Sequence, residues 1–370
     1  MTEPGSRVTL EINLSAIRRN YRRIQKAIAP LGIMAVLKAN AYGLGVRAIA
    51  QVLKQEGVAA FGVAEAKEAC AIADLGVPIL VLGGLLPEEI PSLLAMNAWM
   101  PVQSQETGRR IQEEAARQHR IARCHVLIDT GMGRLGLLEQ DCIEALQSLA
   151  AMPNLQIDGL YSHFPDAYSD RTFSEQQIQK LLRIAQHIRS RLHISLRHLH
   201  ISNSDGLHNI PEASHPPFTL VRTGINLYGC FDLEGRQTLP LEEVITIRSR
   251  LASVRSLPAG STIGYGKSCI LQQPTLVGTV AIGYADGLPL HFQNGGYLKV
   301  RGKPCAVLGR TSMDYTTIDL SMVPDAKVGD AVTCLGEGIT TADWARAKGT
   351  IPYEVICSIG NRVERIAIEE

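Results

Sequence analysis

The chain has 370 residues, 45% of them hydrophobic and 20% charged, which is enough for a large core and for two domains. Its formal net charge of +1 gives no field to gather nucleic acid or an anionic membrane. Eight scattered cysteines form no CxxC pair and no zinc spacing, the opening Met1–Ser6 has no apolar leader, and no apolar run is long enough to span a bilayer, so a soluble, cytoplasmic, metal-free protein is expected.

An amphipathic helical pattern covers 14–29. Short apolar runs then alternate with helical stretches: strands are expected at 33–37, 60–64, 78–82, 99–102, 124–128, 156–162, 196–201 and 219–227. Helices are expected between them at 46–55, 64–75, 88–96, 106–118, 142–152 and 174–192. Eight strands alternating with helices predict parallel βα units, and eight is the closure number of a TIM-type barrel, although periodicity alone leaves an open doubly wound sheet in play. After about residue 235 strand-like segments follow one another across Gly/Pro/Asn turns, at 244–256, 275–282, 297–300, 306–308, 316–320 and 331–335, with a single clear helix at 341–348. The expected architecture is α/β: a TIM-type (β/α)8 barrel over 10–232, then a mostly β domain over 233–370. Residues 1–9, whose alternation at 7–12 reads as a strand, are expected to join the second domain.

In such a barrel the working groups lie at strand C-terminal ends. The first strand ends in Lys38, with Ala39-Asn40-Ala41-Tyr42-Gly43 behind it. A lysine closing an apolar run reads as a desolvated amine able to attack an aldehyde, against the blander reading of a lysine snorkelling at a strand end. Strand five runs into the glycine-rich turn Asp129-Thr130-Gly131-Met132-Gly133-Arg134. Strand six ends in Tyr161-Ser162-His163, strand seven in His200-Ile201-Ser202-Asn203-Ser204, and strand eight carries Arg222-Thr223-Gly224-Ile225. An amine, two histidines, two arginines and small residues that let backbone N–H groups approach an anion suit a phosphorylated, carbonyl-bearing cofactor. His200 also reads as a hydrogen-bonded core histidine; Arg222 in an apolar strand is harder to dismiss, because a guanidinium stays charged and needs partners. The second domain adds tyrosines on glycine turns, Gly264-Tyr265-Gly266 and Gly283-Tyr284, together with Met313-Asp314 and Pro352-Tyr353. Each of those tyrosines also reads as turn packing.

In combination these motifs are specific. Lys-Ala-Asn-Ala-Tyr-Gly (38–43), Asp-Thr-Gly-Met-Gly-Arg-Leu-Gly (129–136), Ser-His-Phe (162–164), Asn203-Ser204, Arg-x-Gly-Ile-x-Leu-Tyr-Gly (222–229), Gly-Tyr-Ala-Asp-Gly (283–287) and Met313-Asp314 resemble the alanine racemases, pyridoxal-phosphate enzymes of fold-type III. The resemblance runs from about Leu10 to Val363. It implies a homodimer with shared active sites, in which L-alanine and D-alanine interconvert through an external aldimine of pyridoxal 5'-phosphate by two-base proton transfer, supplying D-alanine for peptidoglycan. By the same resemblance Lys38 is the Schiff-base lysine and one base, and Tyr265 of the other subunit is the opposing base. Arg222 meets the pyridine nitrogen, with His163 and His200 around it. Tyr42, Ser204, Gly224, Ile225 and Tyr353 hold the phosphate side of the cofactor, and Asn203 is a further cofactor-binding residue. Arg134 and Met313 hold the substrate carboxylate, and Tyr284 stands at the pocket entrance. The chain departs from the family's pattern at Leu127, where many members carry a carbamylated lysine that orients the substrate-binding arginine, and also at Leu44, Thr223, Leu290 and Pro165-Asp166-Ala167. These departures keep two alternatives in view: a racemase for a related amino acid such as serine, and a catalytically weakened cofactor-binding paralogue.

Overall fold

The structure, a computed structural model, describes residues 6–369. Met1–Gly5 and Glu370, expected above to belong to the second domain, lie outside the described residues.

The apolar runs form eight parallel strands: Gly32–Val36, Ala60–Val63, Ile79–Val81, Met100–Val102, Ala122–Asp129, Leu155–Tyr161, His198–His200 and Leu220–Thr223. Neighbours pair in sequence order, from Met34 opposite Ala60 through Phe61 opposite Ile79, Met100 opposite Cys124 and Gly159 opposite His198. A bridge from Leu80 to Trp99 joins the third strand to the fourth. The ring closes where Leu220–Thr223 pairs with Gly32–Ala35 on one side and Thr219 N–H reaches Leu199 O (2.9 Å) on the other. This is the TIM-type barrel. Its strands are buried on both faces, which explains their continuous rather than alternating apolar character.

The helices depart from the sequence expectation in length more than in place. The first, Leu14–Ile28, starts at Asn13, whose side chain accepts from Ala16 N–H at 2.8 Å. The pattern at 64–75 breaks into Ala66–Cys70 and a 3-10 turn, Ala73–Leu75, stopped by Gly76 at φ +70°. The last barrel strand was expected to reach 227. It ends at Thr223 instead, and a 3-10 turn, Ile225–Tyr228, follows Gly224. Two short helices were not foreseen: Ser204–Asn209, capped by Asn203, and Pro352–Cys357 in the second domain.

The second domain is an eight-stranded, mostly antiparallel sheet. Ile245–Leu257 is its spine and pairs with Thr275–Val280, Ala331–Leu335 and Thr9–Asn13. Thr9–Asn13 also lies parallel to Glu364–Ile368, a strand the sequence pattern did not reveal. A boundary at residue 10 therefore falls inside a strand of this sheet, and the chain enters the barrel at Leu14. Pro352–Cys357 brings the second domain back over the barrel mouth: Arg365 Nε donates to Gly43 O at 3.1 Å. No helix among the described residues is long and apolar enough to cross a membrane.

Candidate active site

The C-terminal ends of the barrel strands surround a cavity of about 590 Å3. Lys38, Tyr42, Arg134, His163, Asn203, Ser204, Arg222, Gly224 and Tyr353 line it, as do Leu127, Tyr161 and Asp205. His200 and Ile225 sit directly behind this lining, both fully buried.

The segment after Lys38 has an unusual backbone. Ala39, Asn40, Ala41 and Tyr42 have φ of +53°, +54°, +54° and +59°, one turn of left-handed helix ended by Gly43 at +83°. For L-residues this conformation costs about 1–2 kcal/mol each, and it is rare in succession. The surroundings over-determine it. Glu68 accepts from Ala39 N–H (2.6 Å) and from Ala64 N–H (2.7 Å), tying the turn to the next strand. The Asn40 side chain accepts from Val46 N–H at 2.8 Å, and Gly43 N–H returns to Ala39 O at 2.7 Å. The turn buries Tyr42 edge-on against Tyr228 (5.5 Å) and beside Tyr353 (6.1 Å). Burial pushes the Tyr42 and Tyr353 hydroxyls well up, so both are protonated donors near neutral pH. Gly224 is required beneath Tyr42, since a Cβ there would fall 2.1 Å from the Tyr42 hydroxyl. Lys38 itself is exposed within a single chain. The desolvated lysine expected from the apolar run is thus corrected: the run ends at Leu37, and the side chain of Lys38 reaches the open cavity rather than the core.

Arg222 is buried to 4% exposure, with no carboxylate paired to it among the described residues. Nη1 donates to His200 Nδ1 at 2.8 Å; Nη2 donates to Ser162 O (2.7 Å), to Ile201 O (3.1 Å) and to His163 Nδ1 (3.0 Å). Its guanidinium lies 5.6 Å from the centre of the Tyr161 ring. Burial without a counter-charge lowers its pKa to about 10, so the guanidinium stays charged at neutral pH. Burial first, then Arg222, Arg134 and Lys38, pushes His163 down to about 3. His163 is therefore neutral, and because its Nδ1 accepts from Arg222 its proton sits on Nε2.

The Asp129–Arg134 turn is held by its own first residue: Asp129 Oδ1 accepts from Gly131, Met132 and Gly133 N–H at 2.9, 2.9 and 3.1 Å. Thr130 bonds Ser162 (2.7 Å) and receives Gln177 (3.0 Å), which also reaches His163 O at 3.2 Å. Arg134, at the end of this turn, is exposed and has no hydrogen-bond or ion-pair partner among the described residues.

The remaining predicted residues lie elsewhere. Tyr265 is 71% exposed, Met313 51% and Tyr284 45%, all on the second domain, and none of them lines the cavity of its own chain. They are not random surface groups. Arg362 Nε and Nη2 grip the buried Asp286 at 2.7 and 3.0 Å, and the same guanidinium reaches Asp314 (2.7 Å) and Met313 O (3.3 Å), so one arginine clamps the loops bearing Tyr284 and Met313.

The comparisons with known proteins agree with this geometry. Residues 12–232 match the family model for the alanine racemase N-terminal domain, and residues 244–367 match that for the alanine racemase C-terminal domain. The chain belongs to the alanine racemase family. It is 33% identical to an alanine racemase of Carboxydothermus hydrogenoformans, over 98% of this chain and 99% of that one, and 35% identical to one of Geobacter sulfurreducens, over 98% and 97%. Among solved structures, the alanine racemase of Clostridium difficile superposes with a TM-score of 0.91 at 29% identity, covering 100% of this chain and 97% of the other. That of Bartonella henselae, which holds covalently bound pyridoxal phosphate, superposes at 0.87 and 28%, covering 99% and 100%.

The family depends on pyridoxal 5'-phosphate, and the residues present here suit it. Arg222 Nε–H has no acceptor among the described residues and belongs to a cavity-lining side chain, as a ring nitrogen would require. At the other end Tyr42, Ser204 and the Gly224–Ile225 backbone gather donors around a spot that only glycine leaves open. Two lining or supporting residues were missed at the strand ends, and a third, Tyr161, was named there without a role. His125 looked like an ordinary strand position. Asp205, whose carboxyl burial and the charges of Asp232 and Asp166 push up to about 6, is the only acid in the lining among the described residues and had no motif to mark it.

Proposed function

We propose that the protein is an alanine racemase interconverting L-alanine and D-alanine with pyridoxal 5'-phosphate, as a homodimer with shared active sites, and that it supplies D-alanine for peptidoglycan. The observation that carries this reading is the cavity where the Lys38 amine, the uncompensated Arg222 cation and the Tyr42–Ser204–Gly224 donors converge. Bound through Lys38, the cofactor supplies an electron sink that acidifies the α-proton of the amino acid. The chain's own residues do the rest. Arg222 holds the ring nitrogen without giving up a proton. Tyr42, Ser204, Gly224, Ile225 and Tyr353 anchor the phosphate, Asn203 is a further cofactor-binding residue, and His163 and His200 fix Arg222. Arg134 and Met313 of the partner subunit hold the substrate carboxylate, and Tyr284 of the partner subunit borders the entrance. Lys38 Nζ takes or returns the α-proton on one face, and Tyr265 of the partner subunit serves the other. The exposure of Tyr265 in one chain supports its use in trans.

The test is complementation between inactive variants. Lys38→Ala and Tyr265→Phe are each expected to lose racemisation. When they are mixed and allowed to exchange subunits, half the dimers are hybrids, each with one intact site of two, so about a quarter of the wild-type activity returns. No return on mixing, with hybrids demonstrated by mass spectrometry, would rule out the shared site. The absence of a partner for Arg134 favours one second reading, a paralogue with weak substrate binding. Turnover of L-alanine beside L-serine by chiral chromatography separates these: loss of both with cofactor bound supports the paralogue, and faster serine turnover supports a serine racemase.

A further inference from the structure

His125 lies below the site, inside the barrel on the fifth strand, with no exposed surface. Its Nδ1 is 3.0 Å from His200 Nε2. The roles in this contact follow from Arg222. A guanidinium only donates, so His200 Nδ1, which meets Arg222 Nη1 at 2.8 Å, is an acceptor and carries no proton. Burial, then the nearby Arg222 charge, keeps His200 neutral, and burial with the neighbouring His198 and Arg222 does the same for His125. The single proton of His200 is therefore on Nε2, where it donates to His125 Nδ1, and the proton of His125 is on its own Nε2. That nitrogen is buried and has no acceptor among the described residues. Buried donors without partners are rare and call for a reason. A leucine at 125 would avoid the orphan, but it would leave His200 Nε2–H with nothing to hold it.

The barrel is shaped around this ring. Trp99 stacks on one face at 4.7 Å, and His198 lies at 5.3 Å. A Cβ at Gly159 would come within 2.6 Å of His125 Nδ1. Tyr161 stacks on His200 at 5.0 Å, so His200 is held at its face by one ring and at its edge by another.

We propose that His125 is a positioning residue: by accepting from His200 Nε2–H it locks the tautomer that leaves His200 Nδ1 free to hold the Arg222 guanidinium at the cavity. Without that acceptor His200 Nε2–H is left unpaired in the core, and only the Arg222 contact still opposes the Nδ1–H tautomer. The Nδ1–H tautomer then turns a donor towards a donor, and Arg222 loses one of the bonds that aim it. The effect on catalysis rests on the reading above that Arg222 meets the cofactor; the effect on the tautomer does not.

The experiment reads ring-nitrogen shifts in holoenzyme labelled with 15N-histidine, by multiple-bond 1H–15N correlation between pH 6 and 9. In the wild type His200 and His125 are expected to be single Nε2–H tautomers that do not titrate. His125→Asn, whose amide oxygen occupies the Nδ1 position, keeps His200 as Nε2–H and keeps turnover within about threefold. His125→Phe retains the ring volume but not the acceptor; it mixes the His200 tautomers and lowers kcat about tenfold or more, with KM little changed and the absorbance of the bound cofactor shifted. Gly159→Ala, which crowds the His125 ring from the opposite side, reproduces the His125→Phe result and covers the case where that variant fails to fold. An Nδ1–H tautomer for His200 in the wild type overturns the proposal, as does an unchanged tautomer and kcat in both His125→Phe and Gly159→Ala. Arg222→Lys separates the two readings. If it leaves the cofactor absorbance and turnover untouched, the cofactor role of Arg222 fails. If it alters both while His125→Phe alters neither, the role of His125 fails.

Discussion

The two domains present the residues of the proposed site in opposite physical states. The barrel side is built in: Arg222 and His200 are buried, both Nη atoms of Arg222 are held by groups of the same chain, and the left-handed turn after Lys38 is held from two sides. The second-domain side is held out: Tyr265, Tyr284 and Met313 project from the surface on loops that are braced but uncovered. A group that must stay charged and aimed is best fixed inside one chain, where its acceptors are permanent. Groups that close the site over a small substrate can come from a second copy, because assembly desolvates them only when the site is complete. If this contrast is right, damage to the barrel side removes cofactor chemistry, whereas damage to the loop side leaves a cofactor-loaded protein with a defective closure.

The largest expected effect lies on the barrel side. Lys38→Ala is predicted to lower racemisation by at least about a thousandfold and to remove the absorbance of cofactor joined to lysine. Persistence of that absorbance would place the attachment at another amine and break the comparison at its first step. Next, Tyr265→Ala is expected to leave that absorbance intact. In deuterated water, exchange of the α-proton of L-alanine, followed by NMR, should slow by about a hundredfold or more, while exchange from D-alanine continues near its original rate. Equal losses from both enantiomers would mean that one group serves both faces.

These two predictions also mark where the sequence was readable. All eight barrel strands and the long helices followed from short apolar runs and a 3.6-residue period, since burial on both faces leaves a strong signal. Lys38, Arg134, His163 and Arg222 were visible as polar residues where apolar strands end. Three features were not. The left-handed path of Ala39–Tyr42 is imposed by the tertiary contacts of Glu68 and Tyr42 together with the local bond from Val46 N–H to Asn40, which the sequence Lys-Ala-Asn-Ala-Tyr does not announce. The edge strand Glu364–Ile368 has a mostly exposed pattern and is a strand only because Thr9–Asn13 lies beside it. His125 alternates with Leu127 on one strand, and nothing local tells a histidine that accepts from another histidine from one that merely fills the core.

A smaller effect is expected from the brace behind the loops. Arg362→Ala releases the bidentate hold on Asp286 and the contacts to Asp314 and Met313 O, leaving a nearly buried carboxylate without its cation. Because Tyr284 and Met313 then lose their common anchor, kcat/KM for alanine should fall about tenfold, mainly through KM, with the cofactor absorbance unchanged. An altered absorbance would show that the second domain also shapes the cofactor side and would blur the contrast between the domains.

The smallest effect belongs to the one place where the barrel side is itself left open. Leu127 lines the cavity, nearly buried, with its Cγ against the Gly136 turn that follows Arg134. A leucine offers no acceptor, and Arg134 has no partner among the described residues, so this arginine resembles the loop side in being unheld. Leu127→Lys tests that directly, because the new amine has two possible states. As a free ammonium it adds one more basic group to a lining that already holds Lys38, Arg134 and Arg222, and KM for alanine should rise. As a carbamate, formed with bicarbonate in the buffer, it becomes an anion that accepts from Arg134, and KM should fall by a factor of about three to ten, the worth of one charge-assisted hydrogen bond partly exposed to water. The decisive reading is therefore the bicarbonate dependence of KM in the variant, set against its absence in the wild type. A variant whose KM ignores bicarbonate would mean that Arg134 needs no acceptor from the barrel, and that its aim is set by the substrate carboxylate and the loops of the second copy.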